Sequence, residues 1–233
     1  MSRPVEPVYL VAGCRPLNRR VFDERLSGMP GRWHFVQERE QLTVEAVRQI
    51  DPLYLFFLHW SWLVPNEIVG AWECICFHMT DLPYGRGGTP LQNLILRGHS
   101  RTRLTAFRMT GELDAGPVYF KEELSLEGSA QEIYHRASEL AADMIHRILL
   151  EKPTPSPQEG DVLQFRRRTP DESAIPPLSS VGDLYDYVRM LDAEGYPRAY
   201  IELEGFRYEF SNARLSGDQL RADVRVTHIG EID

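Results

Sequence analysis

The chain lacks the long apolar run that a membrane-spanning helix needs, which is about 18 consecutive residues. Its first residues, Met-Ser-Arg-Pro-Val-Glu-Pro, have no apolar stretch behind the basic residue, so we do not expect a signal peptide. Only 3 cysteines are present, an odd number that does not fit a secreted disulfide framework. Together these absences favour a cytoplasmic protein without a membrane partner.

Basic residues are scarce relative to acidic ones. The 26 Lys and Arg residues face 34 Asp and Glu residues, which gives a formal net charge of −8. Because Lys and Arg neutralise the phosphates of nucleic acids, this balance disfavours a nucleic-acid partner. The basic run Arg166-Arg167-Arg168 is best interpreted as a solvated strand end. By contrast, 42% hydrophobic residues are enough for a substantial core.

Short apolar runs alternate with helical patterns through the first two thirds of the chain. The runs predict buried strands at residues 8–12, 33–36, 53–58, 74–78 and 104–109. Helical spacing and capping residues predict helices at residues 17–26, 44–50, 91–98 and 130–150. Alternation of this kind predicts a Rossmann-like α/β fold, in which a mostly parallel sheet is flanked by helices.

A proline-rich segment divides this part from the rest of the chain. Residues 152–160 carry three prolines at alternate positions, which is typical of a stiff linker. We therefore predict a domain over residues 1–151, a linker over 152–161 and a small α+β module over 162–233. The module is predicted to be rich in strands, with elements at residues 162–168, 181–193, 199–203, 206–210 and 220–226. Its strand edges leave open a homodimer, or closure of an active-site cleft by the module.

A histidine and a carboxylate lie at turn positions next to predicted strands. His78 ends the strand at 74–78, and Asp114 lies in the turn Leu-Asp-Ala-Gly-Pro. Open α/β folds keep their active sites in loops beside strand ends. A histidine titrates near neutral pH and can move protons, and a carboxylate can orient it. Taken singly, His78 also fits a strand-end histidine bonded to backbone, and Asp114 fits a turn-forming aspartate.

These residues resemble the signature of the 10-formyltetrahydrofolate-dependent formyltransferases, Asn-x-His-x-Ser-Leu-Leu-Pro-x-Tyr-Arg-Gly followed by Leu-Asp-x-Gly-Pro. The matching positions are His78, Thr80, Leu82, Pro83, Arg86, Gly87 and residues 113–117. Residues 58–65 resemble the family's folate-contacting loop. The similarity covers residues 50–150 well and 160–205 loosely, and the phrase around His78 looks most like pseudaminic-acid-type sugar formyltransferases. It implies the formyltransferase fold, with the catalytic domain at 1–151.

The resemblance implies roles for individual residues. His78 would transfer protons or stabilise developing charge, and Asp114 would orient His78 or a bridging water. Thr80 is assigned to the substrate, and Arg86 either contacts substrate or pins the loop. The implied contacts with the cosubstrate, 10-formyltetrahydrofolate, come from two loops: Trp62, Leu63, Val64, Gly111, Glu112 and Leu113.

Cys76 departs from the pattern, because the family has an asparagine there that donates to the formyl oxygen. A thiol is a poorer donor. Three interpretations of Cys76 follow. Another donor replaces the amide, or the enzyme is slower than its relatives, or the protein has lost catalysis and only binds its ligands. Cys74, Cys76 and His78 point to one face of the predicted strand. Structural zinc needs four ligands, usually from two separated elements, so we expect no metal.

The predicted function is therefore formyl transfer to the primary amine of a small metabolite. The preferred substrate is a nucleotide-linked 4-amino-4,6-dideoxy sugar, on the strength of the resemblance. The alternatives are an amino-acid amine or hydroxylamine in siderophore or peptide biosynthesis, and a catalytically silent folate-binding protein. Methionyl-tRNA is a less favoured substrate, because the chain is acidic and the C-terminal region is small.

Overall fold

The structure is a computed structural model that describes residues 6–230. This part of the chain forms two compact units that interleave along the sequence. The first unit contains residues up to 87, 102–124 and 135–164. The second contains residues 88–101, 125–134 and those from 165 onward. The domain boundaries at 151 and 162 stay a proposal drawn from the sequence.

Strands supply most of the framework of both units. The described residues contain β1 (Val8–Gly13), β2 (Arg32–Val36), β3 (Tyr54–Leu58), β4 (Cys74–His78), β5 (Tyr84–Gly87), β6 (Arg101–Arg108), β7 (Val118–Ser125), β8 (Leu163–Phe165), β9 (Ala199–Leu203), β10 (Phe206–Ser216) and β11 (Gln219–His228). The main sheet has the order β2-β1-β3-β4-β6-β7. Strands β1 to β4 pair in parallel, and β6 is antiparallel to β4.

Helices of 6 to 22 residues connect these strands. They are α1 (Pro16–Val21), α2 (Val44–Ile50), α3 (Asn66–Ala71), α4 (Pro90–Ile95), α5 (Ala130–Glu151) and α6 (Val181–Arg189). A π-helical turn, Phe22–Leu26, continues α1. Helix α2 begins as predicted, because the hydroxyl of Thr43 accepts the N–H of Ala46 at 3.1 Å. Helices α4 and α6 end earlier than predicted, and α3, β5 and β7 were not predicted.

The main sheet is buried where its strands are continuously apolar. All six residues of β1 are buried, as are the last four of β3. Alternate side chains point to opposite faces of a strand. One face therefore joins Leu10, Leu55 and Phe57 to Val47 and Ile68 of the helices α2 and α3. The parallel register aligns the carboxyl ends of β1, β3 and β4 at one edge of the sheet.

The proline-rich segment is fastened to the first unit. The backbone groups of Ser156 and Val118 exchange two hydrogen bonds, of 2.7 and 2.9 Å. Beyond the segment, the N–H of Leu163 lies 3.4 Å from the carbonyl oxygen of Pro83. Strand β8 then pairs with β5 in a two-stranded sheet. Residues 152–160 are thus bonded to the first unit, in a conformation that spans from β7 to the loop after β4.

The second unit contains an antiparallel sheet of order β11-β10-β9. Glu204 and Gly205 both have positive φ, 49° and 78°, which suits the two-residue turn predicted between β9 and β10. Strand β10 runs beyond the predicted end, past a register shift between Ser211 and Arg214. Helix α6 packs against β10. The predicted fold class, a mostly parallel sheet with helices and a strand-rich C-terminal module, is confirmed. Over residues 6–230, the structure has no helix both long and apolar enough to span a bilayer.

Candidate active site

His78 is buried at the carboxyl end of β4. Its Nε2 lies 2.8 Å from the carbonyl oxygen of Gly85 in β5, the next strand along the chain. A carbonyl accepts and never donates, so this contact assigns the hydrogen of a neutral ring to Nε2. Nδ1 is then the ring atom with a free lone pair, and its direction decides what the histidine can do.

That direction is set by Asp114, which faces the ring from another loop. Oδ2 of Asp114 lies 3.7 Å from Nδ1 of His78, within ion-pair distance but longer than a hydrogen bond. The same oxygen accepts the backbone N–H of Gly87 at 2.8 Å. Asp114 has a positive φ of 51°, which is uncommon for a residue other than glycine. The structure therefore brings the two predicted catalytic residues together across 36 positions of sequence.

Gly116 explains why the turn carrying Asp114 needs a glycine. A Cβ atom at this position would overlap the carbonyl oxygen of Arg108. The turn thus packs directly on the end of β6, and any side chain would push it away.

Arg86 is turned toward the proline-rich segment. Its Nε and Nη2 atoms lie 3.1 and 2.8 Å from Oε1 of Gln158, and its Nη1 is 3.5 Å from Glu112. The amide nitrogen of Gln158 donates to the carbonyls of Asp114 and Gly116, at 2.8 and 2.9 Å. These contacts favour loop pinning over substrate contact, the two alternatives for Arg86.

Thr80 lies beside His78 but faces inward. It is fully buried, and its hydroxyl donates to the carbonyl of Gly85 at 3.3 Å, the same oxygen that His78 contacts. Its own carbonyl accepts the hydroxyl of Thr105 at 2.6 Å. The structure thus places Thr80 as a support for the turn after β4, and its assignment to substrate contact stays a prediction.

Cys76 lies in register with Phe57 and Phe107 on the neighbouring strands. Burial raises the pKa of its thiol well above the usual range, and the negative charge of Asp114 raises it further. The thiol is therefore neutral, and S–H is a weak donor. Burial likewise raises the pKa of Cys74 to about 12. No three His, Cys, Asp or Glu side chains in the described range form a group that could hold a metal.

The first predicted folate loop, residues 62–64, is exposed and makes few contacts, in contrast to the segments around His78 and Asp114. Leu63 is 85% exposed and Trp62 37%, although both are apolar. In the described part of the chain, the backbone groups of residues 62–64 form no hydrogen bond. The indole N–H of Trp60 is buried without a partner, and its ring meets that of Trp62 edge-on at 4.9 Å.

The second folate loop, residues 111–113, is similarly open. Leu113 is 61% exposed, and Glu112 is bonded through its carbonyl to the hydroxyl of Thr110 at 3.2 Å. Met109, just before this loop, packs on the same core cluster as Trp60 and Val64. Residues in or next to both loops therefore pack against the same apolar cluster.

Sequence reasoning missed two groups of the site. One is the carbonyl of Gly85, which fixes the tautomer of His78 but carries no side chain to signal it. The other is Gln158, which lies 44 positions from Asp114 in a segment interpreted as a linker. No local pattern marks it, because its partners are backbone carbonyls and an arginine distant in sequence.

Three comparisons place these features among known proteins. The sequence profile described as methionyl-tRNA formyltransferase, C-terminal domain, matches residues 170–227. The solved structure of a methionyl-tRNA formyltransferase from Clostridium thermocellum is 41% identical, with a TM-score of 0.90, and the match covers 95% of this chain and 99% of that one.

Two further relatives share less sequence with this chain. A methionyl-tRNA formyltransferase from Rickettsia felis is 26% identical over 144 residues, which are 59% of this chain and 48% of that protein. The chain thus spans about half the length of that relative. A 4-N formyltransferase from Francisella tularensis has a TM-score of 0.61 at 16% identity, covering 97% and 99% of the two chains, a likeness of fold alone.

Proposed function

Because the chain belongs to the formyltransferase superfamily, we propose that it transfers a formyl group from 10-formyltetrahydrofolate to a primary amine of a small metabolite. The observation that carries the proposal is the pair formed by buried His78 and half-buried Asp114, with Nδ1 and Oδ2 3.7 Å apart. A base held next to a fixed carboxylate suits the deprotonation of an amine near neutral pH.

The open loops fit the cosubstrate, which would bring the formyl carbon already activated on a folate nitrogen. A pterin needs backbone donors and acceptors along its edge, and the unbonded groups of Trp62, Leu63 and Val64 supply them. The exposed side chain of Leu63 would be covered by the bound ring.

His78 acts on the incoming amine through Nδ1, because Nε2 is committed to the carbonyl of Gly85. A primary ammonium must lose a proton before it can attack the formyl carbon. Nδ1 accepts that proton, and the carboxylate of Asp114 stabilises the resulting imidazolium. The imidazolium then gives this proton to the folate nitrogen as its bond to the formyl carbon breaks, and the second proton of the attacking nitrogen passes to solvent.

The tetrahedral oxyanion needs donors, and Cys76 offers only a neutral thiol. Its raised pKa excludes a thiolate, which would repel the developing negative charge. The imidazolium of His78 is the stronger donor once the amine has given up its proton. We propose that the protonated histidine takes over most of the work of the family's asparagine, which is the first of the three alternatives for Cys76.

For the acceptor we propose a nucleotide-linked 4-amino-4,6-dideoxy sugar. Residues 162–233 contain 9 Arg and Lys against 13 Asp and Glu, and this acidic balance is poorly suited to a polyanionic RNA. Several of these arginines are also engaged with carboxylates, as in the pair Arg207–Glu202.

The second candidate acceptor is methionyl-tRNA. It is favoured by the name of the Clostridium relative and by the profile that matches residues 170–227. An amino-acid amine or hydroxylamine remains a third acceptor, and a folate-binding protein without turnover is the non-enzymatic alternative, motivated by Cys76.

A single assay separates these candidates. The protein is incubated with 10-formyltetrahydrofolate and, in parallel, with nucleotide-linked 4-amino sugars, charged methionyl-tRNA and hydroxylated amino-acid amines, and release of tetrahydrofolate is followed. We expect turnover with a nucleotide sugar. Turnover with methionyl-tRNA alone would move the assignment to the second candidate. Folate binding without turnover of any amine would establish the silent protein.

We further propose that the sheet of the second unit pairs two copies of the chain. Directly opposed residues place Ile201, Leu203, Phe206, Val224 and Val226 on one face, and each of them is more than one-third exposed. Strand β11 is the edge of this sheet. Antiparallel pairing of two β11 strands about Val224 sets Asp223 of each copy opposite Arg225 of the other.

This pairing is tested by sedimentation of Val224→Arg, which would bring two cations together on the symmetry axis. We expect the wild type to sediment as a dimer and the variant as a folded monomer. Leu215→Arg is the control, because Leu215 is similarly exposed but lies on β10, one strand away from the proposed β11–β11 contact. A monomeric wild type, or a Val224→Arg dimer, would contradict the proposal.

A further inference from the structure

The side chain of Gln158 connects Arg86 in β5 to the turn that carries Asp114. It lies in the proline-rich segment, between the Ser156–Val118 bridge and the Leu163–Pro83 contact. Both ends of its amide are used. Nε2 donates to two carbonyl oxygens, and Oε1 accepts two N–H groups of Arg86. An amide has two N–H bonds and two acceptor lone pairs, so Gln158 is fully satisfied.

These bonds close a ring around Asp114. Gln158 holds the carbonyl of Asp114 at 2.8 Å and the next carbonyl but one, that of Gly116, at 2.9 Å. It is itself held by Arg86. The residue after Arg86 is Gly87, whose N–H donates to the carboxylate of Asp114 at 2.8 Å. The backbone and the carboxylate of Asp114 are thus fixed from the same short stretch of β5.

Asp114 needs such a hold. Its positive φ is a conformation that is uncommon for residues other than glycine, and here hydrogen bonds from neighbouring residues hold it. Oδ2 is 3.7 Å from Nδ1 of His78, and a small displacement of the turn would change this distance. Misplacing a reacting group by about 1 Å can lower a rate by about a hundredfold.

We propose that Gln158 is a positioning residue, which acts through Asp114 to set the carboxylate against His78. This inference rests on the proposed formyl transfer for its kinetic consequence, while its structural part does not. In this proposal the proline-rich segment contributes to the active site, whereas the sequence predicted only a linker there.

The decisive variant is Gln158→Glu, which has the same shape. A glutamate keeps the acceptor for Arg86 but loses both donors and sets a lone pair against each carbonyl. We expect kcat to fall about tenfold to a hundredfold, with little change in KM for 10-formyltetrahydrofolate. Gln41→Glu is the matched control, because Gln41 only accepts backbone N–H groups in a surface turn and a carboxylate can do the same.

A double variant separates positioning from a general loss of structure. If Gln158 acts through Asp114, Gln158→Glu lowers the rate of Asp114→Asn by less than about twofold. A multiplicative loss in the double variant would overturn the proposal, as would a Gln158→Glu rate equal to that of Gln41→Glu.

Amide hydrogen exchange supplies a readout that does not require turnover. Gly87 N–H is bonded to the carboxylate of Asp114, so Gln158→Glu should lower its protection about tenfold or more while the amides of β1 keep theirs. Unchanged protection of Gly87 overturns the positioning role. If the wild type formylates no amine, the proposed function fails, and the exchange result still decides the role of Gln158.

Discussion

The catalytic loops and the folate loop of the first unit are built in opposite ways. Around His78 and Asp114, buried and half-buried side chains bond to backbone groups and to one another, and both ends of the Gln158 amide are used. In residues 62–64 the backbone is unbonded, and Leu63 projects into solvent. Both regions belong to the same compact unit, so the difference in hydrogen bonding arises from their own residues.

The contrast separates two requirements of group transfer. Proton transfer depends on distances between protein atoms, and these must be fixed before the substrate arrives. In a binding loop, by contrast, backbone N–H and C=O groups stay without hydrogen-bond partners until the ligand supplies them. Substitutions in the first region should therefore act on kcat, and substitutions in the second on KM.

The largest effect is expected for the reacting pair. His78→Asn and Asp114→Asn should each lower turnover at least about a hundredfold, since each removes one member of the proton-transfer pair. The measurement is steady-state turnover with folding checked by circular dichroism. His34→Asn, at an exposed position of β2, is the control. Near wild-type turnover in either variant removes that residue from the mechanism.

The next largest effect is expected at Gly116. Gly116→Ala forces the turn off the carbonyl of Arg108, so Asp114 should move away from His78. We expect kcat to fall about tenfold and unfolding free energy to drop by about 1–3 kcal/mol. Gly70→Ala is the control, because its Cβ would meet nothing within 4 Å. Equal rates for the two alanine variants would show that the turn adapts without cost.

A smaller effect is expected at Cys76. Because the thiol is neutral and lies among aromatic residues, Cys76→Ala should keep turnover within about threefold, whereas the larger amide of Cys76→Asn should displace His78 and lower it. The two variants are assayed side by side. An asparagine variant faster than the wild type would mean that the pocket still accommodates the family's donor.

The smallest effect is expected in the folate loop. Leu63→Ser should raise KM for 10-formyltetrahydrofolate by about threefold to tenfold, with kcat unchanged, because it removes apolar surface that the ligand would cover. Stability should change by less than about 0.5 kcal/mol, since the side chain is exposed. Leu150→Ser, also exposed, is the control. A fall in kcat without a change in KM would abolish the distinction between the two regions.

The sequence predicts the framework well where its signals are local. Continuous apolar runs identified β1, β3 and β4, and the Glu204-Gly205 pair identified the hairpin of the second unit. Strand β5 could not be predicted from the sequence, because it contains two glycines and pairs with β8, about 80 positions away. Strand β7 escaped because Lys121, Glu122 and Glu123 interrupt its apolar pattern.

The candidate site follows the same rule. His78 and Asp114 could be proposed from their motif, and the structure places them together, but it takes three dimensions to find Gln158 or the orientation of Arg86. Hydrogen bonds from a side chain to distant carbonyls leave no periodicity or composition to detect. The roles assigned to Thr80 and to the folate contacts stay predictions from the motif.

The proline-rich segment also ends the main sheet. Strand β7 is the last in its order, and an open edge of this kind invites pairing with another chain. Ser156 satisfies both backbone groups of Val118 at the start of β7, while its neighbours Pro155 and Pro157 have no N–H to offer a further strand. The segment that positions Asp114 therefore also occupies the first position of this open edge, and shortening it should leave Val118 unpaired as well as displacing Asp114.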